Sequence, residues 1–433
     1  MHEAPRQAAA DRCVPLSVNR PPVRRLLFLL PFPPRLDASH GGSRAMAQSL
    51  VGLADHHRVG VLCLRAPGEP PIDPLLRERC ALVEEVLRPP PEPTAAQRWL
   101  RRARLLCALT RGRPMWASDW AVGAFARRAQ SVADSWRPDV VQIEYHVMGQ
   151  YAVALTRCPA PRVLVEYDPG VEAARQQLRA QRGLRRLLHA LDLWAWTRFE
   201  RAALRQVDAA VVFTERDQRA IERLACAPRV VRIPLGTVLP AHTLNPRGAL
   251  PPRLLFVGNF THAPNVDAAI RLISAVFPNL LPRYPALILQ IVGDQPPSEL
   301  AALARTCPNV VVSGRVPDVI PYLDAATIVL APLRLGGGMR VKVLEALAAG
   351  KPVIASPLAI EGLALTSGEE VLVADTDAEL RDAIAALLDD PERRVALAAR
   401  AHAWAAQNLG WESRVKAYEA LYESLLIASS RSA

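Results

Sequence analysis

Three glycines, Gly336, Gly337 and Gly338, stand directly before Met339, Arg340, Lys342 and Glu345. The apolar run TIVLAPL precedes them, and a helical stretch, MRVKVLEALAAG, follows and ends on Gly350. Strand, glycine turn and helix start together form a cradle for phosphate. Glycine lets backbone N–H groups approach an anion closely, and the positive end of the helix dipole then faces it. Arg340 and Lys342 add the charge that a leaving diphosphate needs, and Glu345 can accept hydrogen bonds from ribose hydroxyls. Each piece also has an ordinary reading: a plain glycine turn, and a Lys342–Glu345 surface ion pair worth a few tenths of a kcal/mol. Placement separates the readings, because open parallel sheets bind ligands where strands end and helices begin.

A second group of polar residues lies in the first half, where Glu144 and His146 follow one apolar run and Tyr167 and Asp168 close the run RVLVEYD. All stand at strand ends, where a cleft is expected, and are candidates for the acceptor side of a transfer. An ordinary imidazole titrates near neutrality, so His146 can steer a proton; its other reading is structural packing. The triplet 375–377 has the DxD spelling of a metal-bound diphosphate site, but Asp377 opens the helix AELRDAIAALL and reads as its N-cap. No metal and no cofactor are expected.

These residues must be positioned by something, and 433 residues with half of them hydrophobic are enough for two globular domains. Short apolar runs alternate with helical stretches at 25–32, 59–64, 139–145, 162–168, 209–214 and 230–234. The rhythm restarts after a proline-rich stretch, at 253–257, 287–292, 310–313, 328–332, 353–355 and 371–374. The expected fold is α/β, with two Rossmann-like parallel-sheet domains facing across a cleft. The divisions are an N-terminal extension at 1–22, a first Rossmann-like domain at 23–238, a linker at 239–252, a second Rossmann-like domain at 253–410 and a C-terminal helix at 411–427. One long helix is expected at about 171–206. Its Leu184, Leu187, Leu188, Leu191 and Trp194 fall on one side, which reads first as core packing and second as membrane-surface docking.

The seven cysteines form no CxxC pair, which points away from a disulfide framework or a zinc site and toward a reducing cytosol. No signal peptide or membrane-spanning stretch is visible. The net charge of +11 rests almost wholly on arginine, since Lys342, Lys351 and Lys416 are the only lysines. Scattered arginines with few aromatics speak against nucleic acid and leave phosphate ligands or an anionic membrane as partners.

The ordered motifs VGNF at 257–260, HAPN at 262–265, IVGD at 291–294, SGRVPDVIPYLDAATIVLAPL at 313–333, GGGMRVKVLEALAAGKPVIAS at 336–356 and EGL at 361–363 resemble retaining glycosyltransferase family four. That family has the GT-B fold and is also described as glycosyl transferases group 1. The resemblance covers about 254–426. It places Glu345 on the donor ribose and the base beside Gly314, Arg315 and Val316, with Gly337, Gly338, Met339 and Arg340 around sugar and diphosphate. Gly258 and Asn259 close the first strand of the donor domain, and Gly41 and Gly42 resemble the glycine pair that faces the phosphates from the other side.

Three positions depart from the pattern. Gly337 stands where the motif usually has a glutamate, Asn259 where an arginine is common, and Tyr167 where many relatives have a histidine before the aspartate. Arg340 and Lys342 are the proposed substitutes for the missing arginine. The resemblance implies metal-independent, retaining transfer of a hexose from a nucleotide-diphosphate sugar to a glycan or lipid-linked acceptor. Such relatives build cell-surface polysaccharide or glycolipid, in the cytoplasm or at the inner face of the membrane. Two other readings stand beside it: a non-catalytic nucleotide-sugar-binding module, motivated by Gly337 and Asn259, and a basic membrane-docking protein.

Overall fold

The computed structural model describes residues 22–38, 41–90, 94–224, 228–240, 242–337 and 340–432. Two parallel sheets organise the chain. The first uses β1 (Arg25–Leu30), β2 (Arg58–Arg65), β3 (Leu82–Leu87), β4 (Val140–Glu144), β5 (Arg162–Glu166), β6 (Ala209–Val212) and β7 (Arg229–Arg232), in the order β3-β2-β1-β4-β5-β6-β7. The second uses β8 (Arg253–Val257), β9 (Ile288–Val292), β10 (Val310–Gly314), β11 (Ile328–Ala331), β12 (Val353–Ala355) and β13 (Leu372–Val373), in the order β10-β9-β8-β11-β12-β13. Central strands such as β4, β6 and β11 are buried along their whole length, which is why they read as unbroken apolar runs. The order reverses between β1 and β4 and between β8 and β11, the places where such sheets open a crevice.

The helices of the first half are α1 (Gly41–Ala54), α2 (Pro74–Arg79), α3 (Ala95–Thr110), α4 (Met115–Asp119), α5 (Gly123–Trp136), α6 (Gly170–Ala180), α7 (Leu184–Leu204) and α8 (Glu215–Glu222). Those of the second are α9 (Ala263–Arg271), α10 (Ser298–Ala304), α11 (Ile320–Ala325), α12 (Val341–Ala348), α13 (Asp377–Asp389) and α14 (Pro391–Asn408). The last helix, α15 (Trp411–Ser432), returns to the first sheet's domain and packs on α1. Its Tyr422 hydroxyl donates to Gln142 of β4, and Trp411 Nε1 donates to Gln48 of α1 at 2.9 Å. The two crossings between domains run side by side: Thr237 N donates to Leu409 O at 3.0 Å, and Gly236 lies against the Trp411 ring.

Several expectations change. The helix expected at 171–206 is two helices, α6 and α7, broken before Gly183, whose φ of 64° only glycine adopts readily. The apolar stripe of α7 is not core: Leu187 is 68 % exposed, and Leu188 and Trp194 are exposed with it. Strand β3 was not expected at all, because LVEEVL lies at the sheet edge with every residue partly open and lacks the apolar run of its neighbours. Thr376, not Asp377, caps α13: its hydroxyl accepts from Glu379 N, while Asp377 holds Arg271. Among the described residues no helix is long and apolar enough to cross a membrane.

Candidate active site

The N-termini of α1 and α12 meet across the cleft. A Cβ added at Gly41 would lie 2.8 Å from Val341 Cβ, closer than real side chains approach, so glycine is what lets the two helices touch. Further along the same two helices, Arg44 Nη2 and Nε hold Glu345 Oε1 at 2.7 and 3.0 Å. Both side chains are about a quarter exposed, so the pair is worth about 1 kcal/mol or less and can yield to a ligand with better geometry. Arg44 was not singled out by sequence, because its partner lies on the other domain. Gly42 shares the helix start with Gly41; Gly338 and Met339 lie outside the described residues.

Lys342, in the first turn of α12, does not pair with Glu345. Its ammonium donates to Asn265 Oδ1 at 2.6 Å and lies 4.5 Å from the centroid of the Phe256 ring. Burial pushes its pKa down to about 7, with Arg340 adding to the effect. Asn265 in turn donates to Asn259 O at 2.7 Å, while the Asn259 side chain accepts from Thr261 N. Gly258 fits here because a Cβ would strike Asn265 at 2.9 Å. Lys342, Asn265 and the turn after β8 therefore form one rigid wall of the cleft.

Arg340 precedes α12, and its Nε and Nη2 are buried with no hydrogen bond among the described residues. Burial lowers its pKa, and Asp168 from the other domain opposes that shift. Arg216 of α8 reaches across to Glu361 at 3.0 Å and to Gly336 O at 3.4 Å. Asp168, Asp217 and Glu361 thus surround Arg340 and Arg216 in a charge cluster that joins the domains. A buried, unpartnered guanidinium is expensive unless an anion meets it, which marks Arg340 as an anion-binding group.

The remaining donor-side candidates lie at the end of β10. Gly314 has φ 65°, and its carbonyl accepts from Gly293 N at 2.9 Å. Arg315 is exposed and close enough to Asp37 of the first domain to help Arg35 hold that carboxyl below its ordinary range. Val316 lines a groove with Pro317, Pro321 and Tyr322.

On the acceptor side, β4 and β5 end in a buried aromatic and acidic cluster. Tyr145 has φ 80°, a strained value for a residue with a side chain, and stacks on both His146 and Tyr167. His146 is boxed by Trp116 and Trp196 at 5.0 and 5.3 Å between centroids. Burial drives its pKa down to about 3, so it stays neutral and does not titrate near pH 7. The proton-steering role fails for that reason. Glu144 accepts from Gln142 Nε2 at 2.5 Å, and burial lifts its pKa to about 7. Behind it lie Glu166, wholly buried, and Glu200, lifted to about 8 by burial. Burying a carboxylate is costly, and that cost shifts all three of these groups toward the protonated form. Asp168 lies against Gly337 of the other domain, its pKa raised to about 6 by burial against the pull of Arg340.

Residues 251–390 match the family model of Glycosyl transferases group 1. The lipopolysaccharide core biosynthesis mannosyltransferase LpsB of Rhizobium meliloti (strain 1021) is 30% identical over 132 residues, which are 30% of this chain and 37% of that protein. The match thus spans little more than a third of the curated relative. Among solved structures, sucrose-phosphate synthase from Thermosynechococcus elongatus aligns with a TM-score of 0.69 at 19% identity, covering 94% of this chain and 100% of that one. Anabaena HepE in complex with UDP-glucose aligns with a TM-score of 0.62 at 15% identity, covering 93% and 100%. Residues 251–390 thus resemble glycosyl transferases group 1, and the two parallel-sheet domains have the GT-B architecture of these solved structures.

Proposed function

We propose that the protein is a retaining glycosyltransferase that moves a hexose from a nucleotide-diphosphate sugar to a glycan or lipid-linked acceptor, in cell-surface polysaccharide or glycolipid assembly. The observation that carries this reading is the convergence of Arg340, Lys342 and Glu345 with the α1 N-terminus at the cleft. The group 1 match over the same domain, the LpsB relative and the UDP-glucose complex of HepE support it. Ribose hydroxyls displace Arg44 from Glu345, and the diphosphate meets Arg340, Lys342 and the two helix starts. As the sugar–phosphate bond breaks, negative charge grows on the diphosphate where cations and N–H groups are already in place. The acceptor hydroxyl attacks from the face the diphosphate leaves, and a phosphate oxygen takes its proton. Arg340 and Lys342 do the work that a metal does elsewhere, and no cofactor takes part.

The site of action in this reading is the cytoplasmic face of the membrane. Support comes from the surface shared by α3 and α7. On these two helices Trp99, Leu100, Leu106, Leu187, Leu188 and Trp194 are exposed, and so are Arg102, Arg104, Arg185 and Arg186. Such a face suits anionic lipid.

Thermal shift against UDP-, GDP- and ADP-sugars tests the donor claim, because a ligand that binds only the folded state raises the melting temperature. One of these donors should stabilise the protein, and Glu345→Ala should remove most of that gain. Equal stabilisation of wild type and Glu345→Ala would refute the ribose assignment. Stabilisation without transfer or hydrolysis would favour the non-catalytic module.

A further inference from the structure

The loop that leads into α12 carries no acidic residue of its own. Between β11 and α12, residues 332–340 read PLRLGGGMR, and Gly337 is the middle one of the three glycines. The structure shows what occupies the space beside it. A Cβ built on Gly337 would fall 1.9 Å from Asp168 Oδ1 and 2.9 Å from its Cγ, with Arg216 Nη2 next at 3.2 Å. No side chain of any kind fits at position 337 while Asp168 holds this place. Asp168 comes from the other domain, at the end of the β5 strand, two residues beyond Glu166. It is the acceptor-side carboxylate that reaches the cleft, where Arg340 faces it.

We propose that Asp168 supplies, from the N-terminal domain, the carboxylate that grips the hydroxyls of the donor's sugar at Gly337, so that sugar recognition is completed only when the two domains meet. Two features of the site argue for a ligand-gripping role rather than a simple latch. Arg340 keeps Nε and Nη2 unpaired in hydrogen bonding although Asp168 is its neighbour, so the carboxylate is not spent on a bidentate pair. Arg216 has its own partner in Glu361, which leaves Asp168 as the free acceptor at the Gly337 backbone. Sugar hydroxyls are donors that a carboxylate accepts well, and charge-assisted bonds of this kind are about twice as strong as neutral ones. The nucleotide and the sugar are then held by different domains: Glu345, Arg340 and Lys342 read the nucleotide end, and Asp168 reads the sugar.

This inference rests on the donor reading, and the experiment separates the two. Isothermal titration would measure UDP against UDP-glucose and GDP against GDP-mannose on the full chain, for wild type, Asp168→Asn and Asp168→Ala. Wild type should bind one sugar-bearing ligand more tightly than its sugar-free partner. In Asp168→Ala that preference should fall by about tenfold or more, while affinity for the nucleoside diphosphate stays within about twofold. Asp168→Asn, which still accepts one hydrogen bond, should fall in between. The double variant Asp168→Gly with Gly337→Glu, which moves the carboxylate to the other domain, should recover the preference. Thermal melts confirm that each variant is folded. Equal loss of affinity for sugar-free and sugar-bearing ligands in folded Asp168→Ala, or no loss for either, would overturn the role of Asp168 and leave the donor site standing. Failure of wild type to bind any of these four ligands, or ADP and ADP-glucose titrated in the same way, would overturn the donor reading and this inference with it.

Discussion

The Lys342 ammonium rests on Asn265 and the Phe256 ring, and with a pKa near 7 it carries only part of its charge at neutrality. An arriving diphosphate favours the charged form and raises that pKa. Binding therefore takes up a proton wherever free Lys342 is neutral, which is above about pH 7. By linkage, the contribution of Lys342 to affinity for UDP or GDP should be complete below about pH 6 and weaken between pH 7 and 9 by up to about tenfold per pH unit. Lys342→Arg, which stays charged, should flatten the slope; titration calorimetry at each pH reads both. An unchanged slope in Lys342→Arg would place the titrating group elsewhere. Glu345 works differently, because it forms with Arg44 a partly exposed ion pair that a ribose can replace at small cost. Lys342 and Glu345 share one helix, yet one faces its own domain and the other faces Arg44 of the opposite domain.

At the scale of elements, the parallel strands announced themselves, since burial on both faces demands continuous apolar sequence. The edge strand β3 escaped for the opposite reason. The glycine cradle and its α12 side chains were legible as well, being local in sequence. What could not be read were the partners from the other domain: Arg44 is 301 positions from Glu345, and Asp168 is far from Gly337 in sequence. No periodicity encodes such a meeting. His146 misled because its type suggested titration, whereas the aromatic box that silences it is assembled from α4 and α7. The α7 stripe misled in the other direction, since amphipathic spacing says that a face is apolar but not what covers it. That exposed face makes a prediction. The chain should co-sediment with vesicles containing phosphatidylglycerol and not with pure phosphatidylcholine, and the attachment should weaken with salt. Leu187→Glu with Leu188→Glu should abolish it while the fold and nucleotide binding persist. Equal sedimentation of that variant would show that the surface is not the contact.

For the whole molecule, α15 is the element that makes one body of two sheets. Its Val415, Tyr418, Leu421, Tyr422 and Leu425 are buried in a core that also contains Met46 and Leu50 of α1 and Leu344 of α12. Tyr422 donates to Gln142, which donates to Glu144, so the chain's last helix is wired to the acceptor-side cluster through two side chains. Tyr422→Phe should lower stability by about 1–2 kcal/mol, the cost of leaving a buried amide oxygen unmet, and urea unfolding measures it. No loss would mean that the bond contributes nothing net. The paired crossings at Gly236–Thr237 and Leu409–Trp411 have a mechanical meaning. A domain fastened at both of its ends, and along one edge, is like a door on adjacent pins: its easy motion is a swing about that line. Any such swing parts Asp168 from Gly337, so one stroke lets go of the sugar end of a bound nucleotide-sugar while Glu345, Arg340 and Lys342 keep the nucleotide end on the other domain.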